Sequence, residues 1–82
     1  MSREFIPDRG DLVWLDFNPT RGHEQAGRRP AFVVSVQLYN GRTGLCIVCP
    51  ITSRLKGYPF EVRVEFESVR GVILADQIRT ID

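Results

Sequence analysis

Residues 60–66, Phe60-Glu61-Val62-Arg63-Val64-Glu65-Phe66, alternate apolar and charged side chains without a break. A period of two places Phe60, Val62, Val64 and Phe66 on one face of an extended chain and the three charges on the other. The pattern predicts a half-buried antiparallel strand. Working outward, residues 45–51 (LCIVCPI) and 31–36 (AFVVSV) are short β-branched runs. They are too short for buried helices and read as well-covered strands. Residues 11–17 (DLVWLDF) follow the turn-like Pro7-Asp8-Arg9-Gly10 and read as another strand, with Trp14 in the core. Residues 71–74 (GVIL) and 77–81 (QIRTI) add one or two more. Turn-rich segments at 18–30, 39–44 and 53–59 separate these runs. Five or six strands with no convincing helix predict a mainly β fold, either a small, strongly curved sheet or a partly open barrel.

The chain has 82 residues, enough for one small domain spanning 1–82. Such a domain buries only roughly 60 to 65% of the surface of its unfolded chain, so its stability is expected to be marginal. Apolar residues at 43% and charged residues at 26% argue against disorder. No apolar stretch approaches the ~18 residues of a membrane span, and the opening MSREF is no signal peptide. The expected compartment is therefore the cytoplasm.

A net charge of +1 hides an uneven distribution. Residues 1–17 balance to −2, and residues 58–82 again to −2. Between them, Arg21, Arg28, Arg29, Arg42, Arg54 and Lys56 face Glu24 alone, a balance of +5. Ten of the eleven cations are Arg, whose planar fork matches phosphate bidentately. The central block reads either as a local anion-binding surface or as solvated loop charge.

The segment 18–30 (NPTRGHEQAGRRP) is long for a loop in a compact domain and holds the only His. Pro30 restricts Arg29 to an extended backbone, which commits its side chain to one direction at the mouth of a strand. His23 and Glu24 are adjacent there, an acid–base pair beside three Arg residues or a solvated loop pair. Thr52 ends a strand, as a simple terminator or as a hydroxyl at a site. Asp76-Gln77 interrupts an apolar stretch, as a turn or as groups aimed into a site. Cys46-x-x-Cys49 resembles a metal or redox motif, yet positions three apart on a strand point to opposite faces. With one His and no further Cys, four zinc ligands cannot come from one chain, so the pair reads as small buried strand residues. No metal or cofactor is expected.

These signals converge on a family. Gly22-His23-Glu24-Gln25, followed by Gly27 and Arg29-Pro30, resembles the loop signature of the MazF/PemK (Kid) toxins of bacterial type II toxin–antitoxin systems. The opening Pro7-x-x-Gly10-Asp11-Leu12-Val13-Trp14-Leu15-Asp16-Phe17-x-Pro19 is similar to theirs as well. So are Pro50-x-Thr52, Lys56-Gly57-Tyr58-Pro59-Phe60-Glu61-Val62, Ala75-Asp76-Gln77 and Arg79-Thr80-Ile81-Asp82. The resemblance is collinear over essentially the whole chain and leans to the MazF branch.

The resemblance implies an SH3-like, strongly twisted antiparallel β-barrel with little helix, working as a homodimer. It implies a metal-independent, sequence-specific endoribonuclease (mRNA interferase) that cuts single-stranded RNA, leaving 2′,3′-cyclic phosphate and 5′-OH ends. On the matching positions Arg29 would neutralise developing charge and donate to the leaving group, and Thr52 would hydrogen-bond a non-bridging oxygen. Glu24, His23 and Asp76 compete for the role of base. Arg21, Gln25, Arg28, Arg54, Lys56 and Gln77 would contact the RNA. Leu74 stands where the PemK branch has an Arg two positions before its Asp, which favours Arg29 with Thr52 over an Arg–Asp pair. An antitoxin with an acidic, flexible C-terminal segment would cover the same groove. CcdB-like gyrase poisons of the same fold and a non-catalytic RNA-binding barrel are the alternatives. Family members continue past the position of Asp82 into a helical segment, so exposed apolar surface is expected here.

Overall fold

The computed structural model describes residues 5–17 and 27–82. Six strands appear in chain order: β1 (Leu12–Phe17), β2 (Gly27–Val33), β3 (Cys46–Thr52), β4 (Glu61–Phe66), β5 (Val69–Leu74) and β6 (Arg79–Ile81). One helix, α1 (Gln37–Thr43), joins β2 to β3, and a 3-10 turn (Ala75–Gln77) joins β5 to β6. Every pairing is antiparallel, in the order β1-β2-β3-β5-β4 with β6 also on β3. The fold is mainly β, as the alternating and β-branched runs predict.

β3 is the central strand. Its first half pairs with β6, from Cys46↔Ile81 to Val48↔Arg79, and its last residues pair with β5 at Ile51↔Ile73 and Thr52↔Val72. Between these two ladders the register shifts by three residues, the length of the 3-10 turn Ala75–Gln77. The insertion bends one long partner strand into two short ones, which curls the sheet.

Alternation along the strands sorts the apolar residues into two clusters. Ala31, Val33, Cys46 and Val48 are buried together, with Val13, Leu15 and Ile81 packed against them. Cys49, Ile51, Val69 and Ile73 form the second, with Leu12, Phe32, Val34 and Val64 against it. Cys46 and Cys49 fall in different clusters, both free and buried, as their spacing on one strand requires. Fully burying a Val such as Val33 or Val48 stabilises the fold by about 1.5–3 kcal/mol.

Three expectations from sequence need correction. The segment 39–44, read as turn-rich, lies almost wholly in the helix Gln37–Thr43. At seven residues it is below the ~12–15 needed for an isolated helix, so tertiary hydrogen bonds hold it. Asp8 Oδ1 accepts from the Gln37 N–H at 2.8 Å and so caps the helix from a distant segment. The buried Asn40 donates to Pro7 O at 2.8 Å and Ser35 O at 3.1 Å, and accepts from the Ser35 hydroxyl. Gly44, at φ 74°, stops the helix in the left-handed region. Second, β2 begins at Gly27, so Arg28 to Pro30 are strand rather than loop, paired with Asp16, Leu15 and Trp14 of β1. Third, β4 is not half-buried. Val64 packs on the second cluster, but Val62 on the same face is 52% and Phe66 56% exposed, with nothing among the described residues covering them.

Gly71 is fixed by space. A Cβ there would lie 2.2 Å from the Thr52 carbonyl oxygen, backbone that cannot swing aside. Gly71→Ala is expected to force β5 away from the end of β3 and to destabilise the fold by about 1–3 kcal/mol. Denaturant unfolding checks this, and an unchanged midpoint would contradict the close approach. Burial pushes both thiols up, opposed at Cys46 by the Ser35 hydroxyl and reinforced at Cys49 by the Asp76 charge. Below about pH 8.5 folded and unfolded chains hold these protons equally, and the thiols' contribution is fully present. Above it the unfolded chain releases them first, so stability falls as pH rises towards the raised folded values. The unfolding midpoint should drop through this window, and less steeply in Cys46→Ala/Cys49→Ala; equal slopes would contradict the assignment.

Candidate active site

The β2–β3 ladder is short. It runs from Val33↔Val48 to Ala31↔Pro50 and stops there. Pro30, the next residue back along β2, has no N–H to give to the following rung. Beyond this point the strands part, and Arg28, Arg29 and Pro30 face Ile51, Thr52 and Ser53 across a cavity of about 270 Å³. Trp14, opposite Pro30 in register, forms part of the wall; Ser68, Val69 and Arg70 complete it. The volume is at the small end for ligand sites.

Three arginines around one small cavity make it an anion site by composition. Arg29 is partly buried, and its Nε is fully buried with no hydrogen-bond partner among the described residues. Such an orphaned charged donor costs more than the ~1–3 kcal/mol of a neutral one unless something accepts from it. The Thr52 hydroxyl accepts from the Arg54 N–H at 3.2 Å, an interaction local to the strand end. With that lone pair used, the Thr52 O–H remains a donor that can be turned towards an anion. The site therefore offers guanidinium and hydroxyl donors to one tetrahedral anion. The Arg70 guanidinium is held by Glu65, with Nη2 3.0 Å from Oε2, in an exposed pair worth little to stability.

Of the residues singled out by sequence, the cavity gathers Arg28, Arg29 and Thr52. Arg54 lies two residues beyond Thr52 and is exposed, and its backbone is what touches the site. Lys56 and Gly57 donate their N–H groups to the Glu61 carboxylate, at distances of 3.0 to 3.3 Å, which folds the loop before β4. Asp76 and Gln77 sit on the 3-10 turn after β5 and do not line the cavity, although Asp76 is near enough to Cys49 on β3 to push its thiol pKa up. Arg21, His23, Glu24 and Gln25 lie outside the described residues. Among the described residues no cluster of three or more His, Cys, Asp or Glu could hold a metal.

Trp14, Ser53, Ser68 and Arg70 were not expected here. Trp14 is 50% exposed rather than core. The signal was present in its neighbours: Val13 and Leu15 both pack on the first cluster, so the residue between them must face the other way. Ser68 comes from the two-residue turn between β4 and β5, where Glu67 adopts φ 52°, a conformation rare outside Gly and Asn. No sequence pattern announces it.

Comparison with known proteins gives these residues a context. The chain is 52% identical over 81 residues to the "Endoribonuclease toxin MazF" of Escherichia coli (strain K12), covering 99% of this chain and 73% of that one. The crystal structure of MazF from Deinococcus radiodurans superposes with a TM-score of 0.82 at 58% identity, over 95% of this chain and 72% of that one. A MazE–MazF complex from the same organism matches with a TM-score of 0.80 at 58% identity, over 95% and 71%. No helix among the described residues is long and apolar enough to cross a membrane. Residues 8–82, which contain every strand and the whole described cavity, match the PemK-like, MazF-like toxins of type II toxin–antitoxin systems, and the chain belongs to that family.

Proposed function

We propose that the chain is a toxin-type endoribonuclease that cuts single-stranded RNA, with the phosphate at the cut seated among Arg28, Arg29 and Thr52. One observation carries the placement: a buried Arg29 Nε with no partner among the described residues, in a residue that lines an arginine-rich cavity. The activity is supported by relatives named as endoribonuclease toxins.

The chemistry suited to this donor set is attack by a ribose 2′-oxygen on the adjacent 3′-phosphate. The O2′–P bond forms and the P–O5′ bond breaks; the 2′-OH proton passes to a base, and O5′ takes up a proton as it leaves. The products are a 2′,3′-cyclic phosphate and a 5′-OH end. Charge builds on the non-bridging oxygens in the transition state, where fixed donors act most strongly. Arg29 supplies that charge and a proton donor near O5′, Thr52 a hydrogen bond to a non-bridging oxygen, and Arg28 an anchor for the neighbouring backbone. For the base, His23 and Glu24 lie within five residues of Arg28 along the chain, whereas Asp76 lies at the other end of β5. Arg54, Lys56, Arg21, Gln25 and Gln77 serve as outlying RNA contacts.

The same reading includes a homodimer in the cytoplasm, where RNA is found. The exposed apolar side chains Val62 and Phe66 support an interface. A cognate antitoxin is supported by the solved MazE–MazF complexes of a similar protein. A carboxylate-rich segment on that antitoxin would compete with RNA for the arginine cavity.

Arg29→Ala is expected to lower the single-turnover cleavage rate by about 10²–10³-fold, the usual loss for one transition-state donor, while RNA binding weakens far less. Thr52→Val should lose less. Replacing the nucleotide at the cut with its 2′-deoxy form should abolish cleavage and leave binding intact. Continued cutting of that strand would refute the 2′-OH mechanism, and RNA binding without any cutting would leave a non-catalytic binder.

A further inference from the structure

We propose that Trp14 is a stacking platform for the nucleobase next to the phosphate held by Arg29 and Thr52, so that the cavity binds one nucleotide as base plus phosphate. This rests on the RNA-cleaving reading above and gives the cavity's remaining walls a role.

The walls divide by chemistry. Arg28, Arg29 and Thr52 offer charge and hydroxyl donors that suit a phosphate. Trp14, Pro30, Ile51 and Val69 add apolar lining to the same cavity, which no phosphate would favour. An indole that is half exposed contributes little to a core, and Val13 and Leu15 on the same strand already supply β1's share of one cluster. A large flat aromatic beside several guanidinium groups is the arrangement by which single-stranded nucleic acids are held: cations track the backbone and rings stack on the bases. Pro30 is opposite Trp14 in register, Arg29 is the residue before it on β2, and all three line the one cavity. Base and phosphate of one nucleotide can therefore be gripped by neighbouring positions of a single hairpin. Ser53 and Ser68 also line the cavity and bring hydroxyls that can hydrogen-bond a base edge. Stacking itself tolerates any base, so these hydroxyls are where a preference would be read.

The test uses the intact protein, whose single Trp makes its fluorescence report on Trp14 alone. The probe is an RNA oligonucleotide made uncleavable by a 2′-deoxy nucleotide at the mapped cut. Titration should change the Trp14 emission in step with binding. Removing the base on one side of the cut, as an abasic nucleotide, should weaken binding to the wild-type protein roughly 5- to 150-fold, and removing it elsewhere should matter less. Trp14→Leu should lose a similar factor on the intact oligonucleotide and then be insensitive to the abasic position. Trp14→Phe should keep most of the affinity, and the loss should fall on KM more than on kcat. The abasic arm needs no variant, so it stands even if Trp14→Leu folds poorly.

The proposal is overturned if the abasic penalty is the same in wild type and Trp14→Leu at every position while Arg29-dependent cleavage persists. A wild-type protein that neither cuts nor binds RNA overturns the endoribonuclease reading, and this one with it.

Discussion

Along β2, alternate residues turn their backbone towards β3, as Val34 N–H does in donating to Ile47 O, and in that series Pro30 lacks the N–H for the next rung, so the pairing of β2 and β3 ends at Ala31↔Pro50. The other features of the candidate site depend on that ending. Had the ladder continued, Arg29 would lie against Thr52 in an unbroken sheet, with no space between them. Because it stops, the β1–β2 hairpin and the β3–β5–β4 half of the sheet open away from each other, and Arg28 to Pro30 of β2 and Ile51 and Thr52 of β3 become walls of a cavity. Arg29 lines that opening, and its buried Nε has no partner among the described residues.

Other elements hold the opening at a fixed size. On the far side of β3, the three-residue 3-10 insertion switches the partner strand from β5 to β6 and bends the sheet. Gly71 lets the β5 backbone approach Thr52 more closely than any side chain would permit. The buried Ser35 and Asn40 tie the end of β2, the start of β3 and the segment at Pro7 into one polar knot, with Ile47 N–H donating to Ser35 Oγ at 2.9 Å. Each of its members has a partner, which is the condition for a buried polar group to stabilise rather than weaken a small domain.

Much of this was legible in the sequence, for local reasons. The alternation at 60–66 and the β-branched runs around Val33 and Val48 encode strands directly, and all appear. Arg29 and Thr52 stood out because a proline fixes one and a strand end exposes the other. The helix at 37–43 was not legible, since Asn40-Gly41 looks like a turn and the cap that stabilises it, Asp8, is 29 residues away. The exposure of Val62 and Phe66 was not legible either: alternation shows which face is apolar and not whether anything covers it. Trp14 was misread because a large aromatic in an apolar run is usually core, although its place between Val13 and Leu15 turns it to the opposite face of the strand.

The central claim is that the phosphate at the cut binds in the cleft between β2 and β3, on Arg29. The most direct measurement is the NMR signal of the Arg29 side-chain Nε–H during titration with an uncleavable RNA oligonucleotide. The account predicts that this proton moves downfield and exchanges more slowly with solvent as RNA binds, while the Nε–H of Arg42, on the exposed side of α1, stays where it was. An unmoved Arg29 signal in a protein saturated with RNA would contradict it.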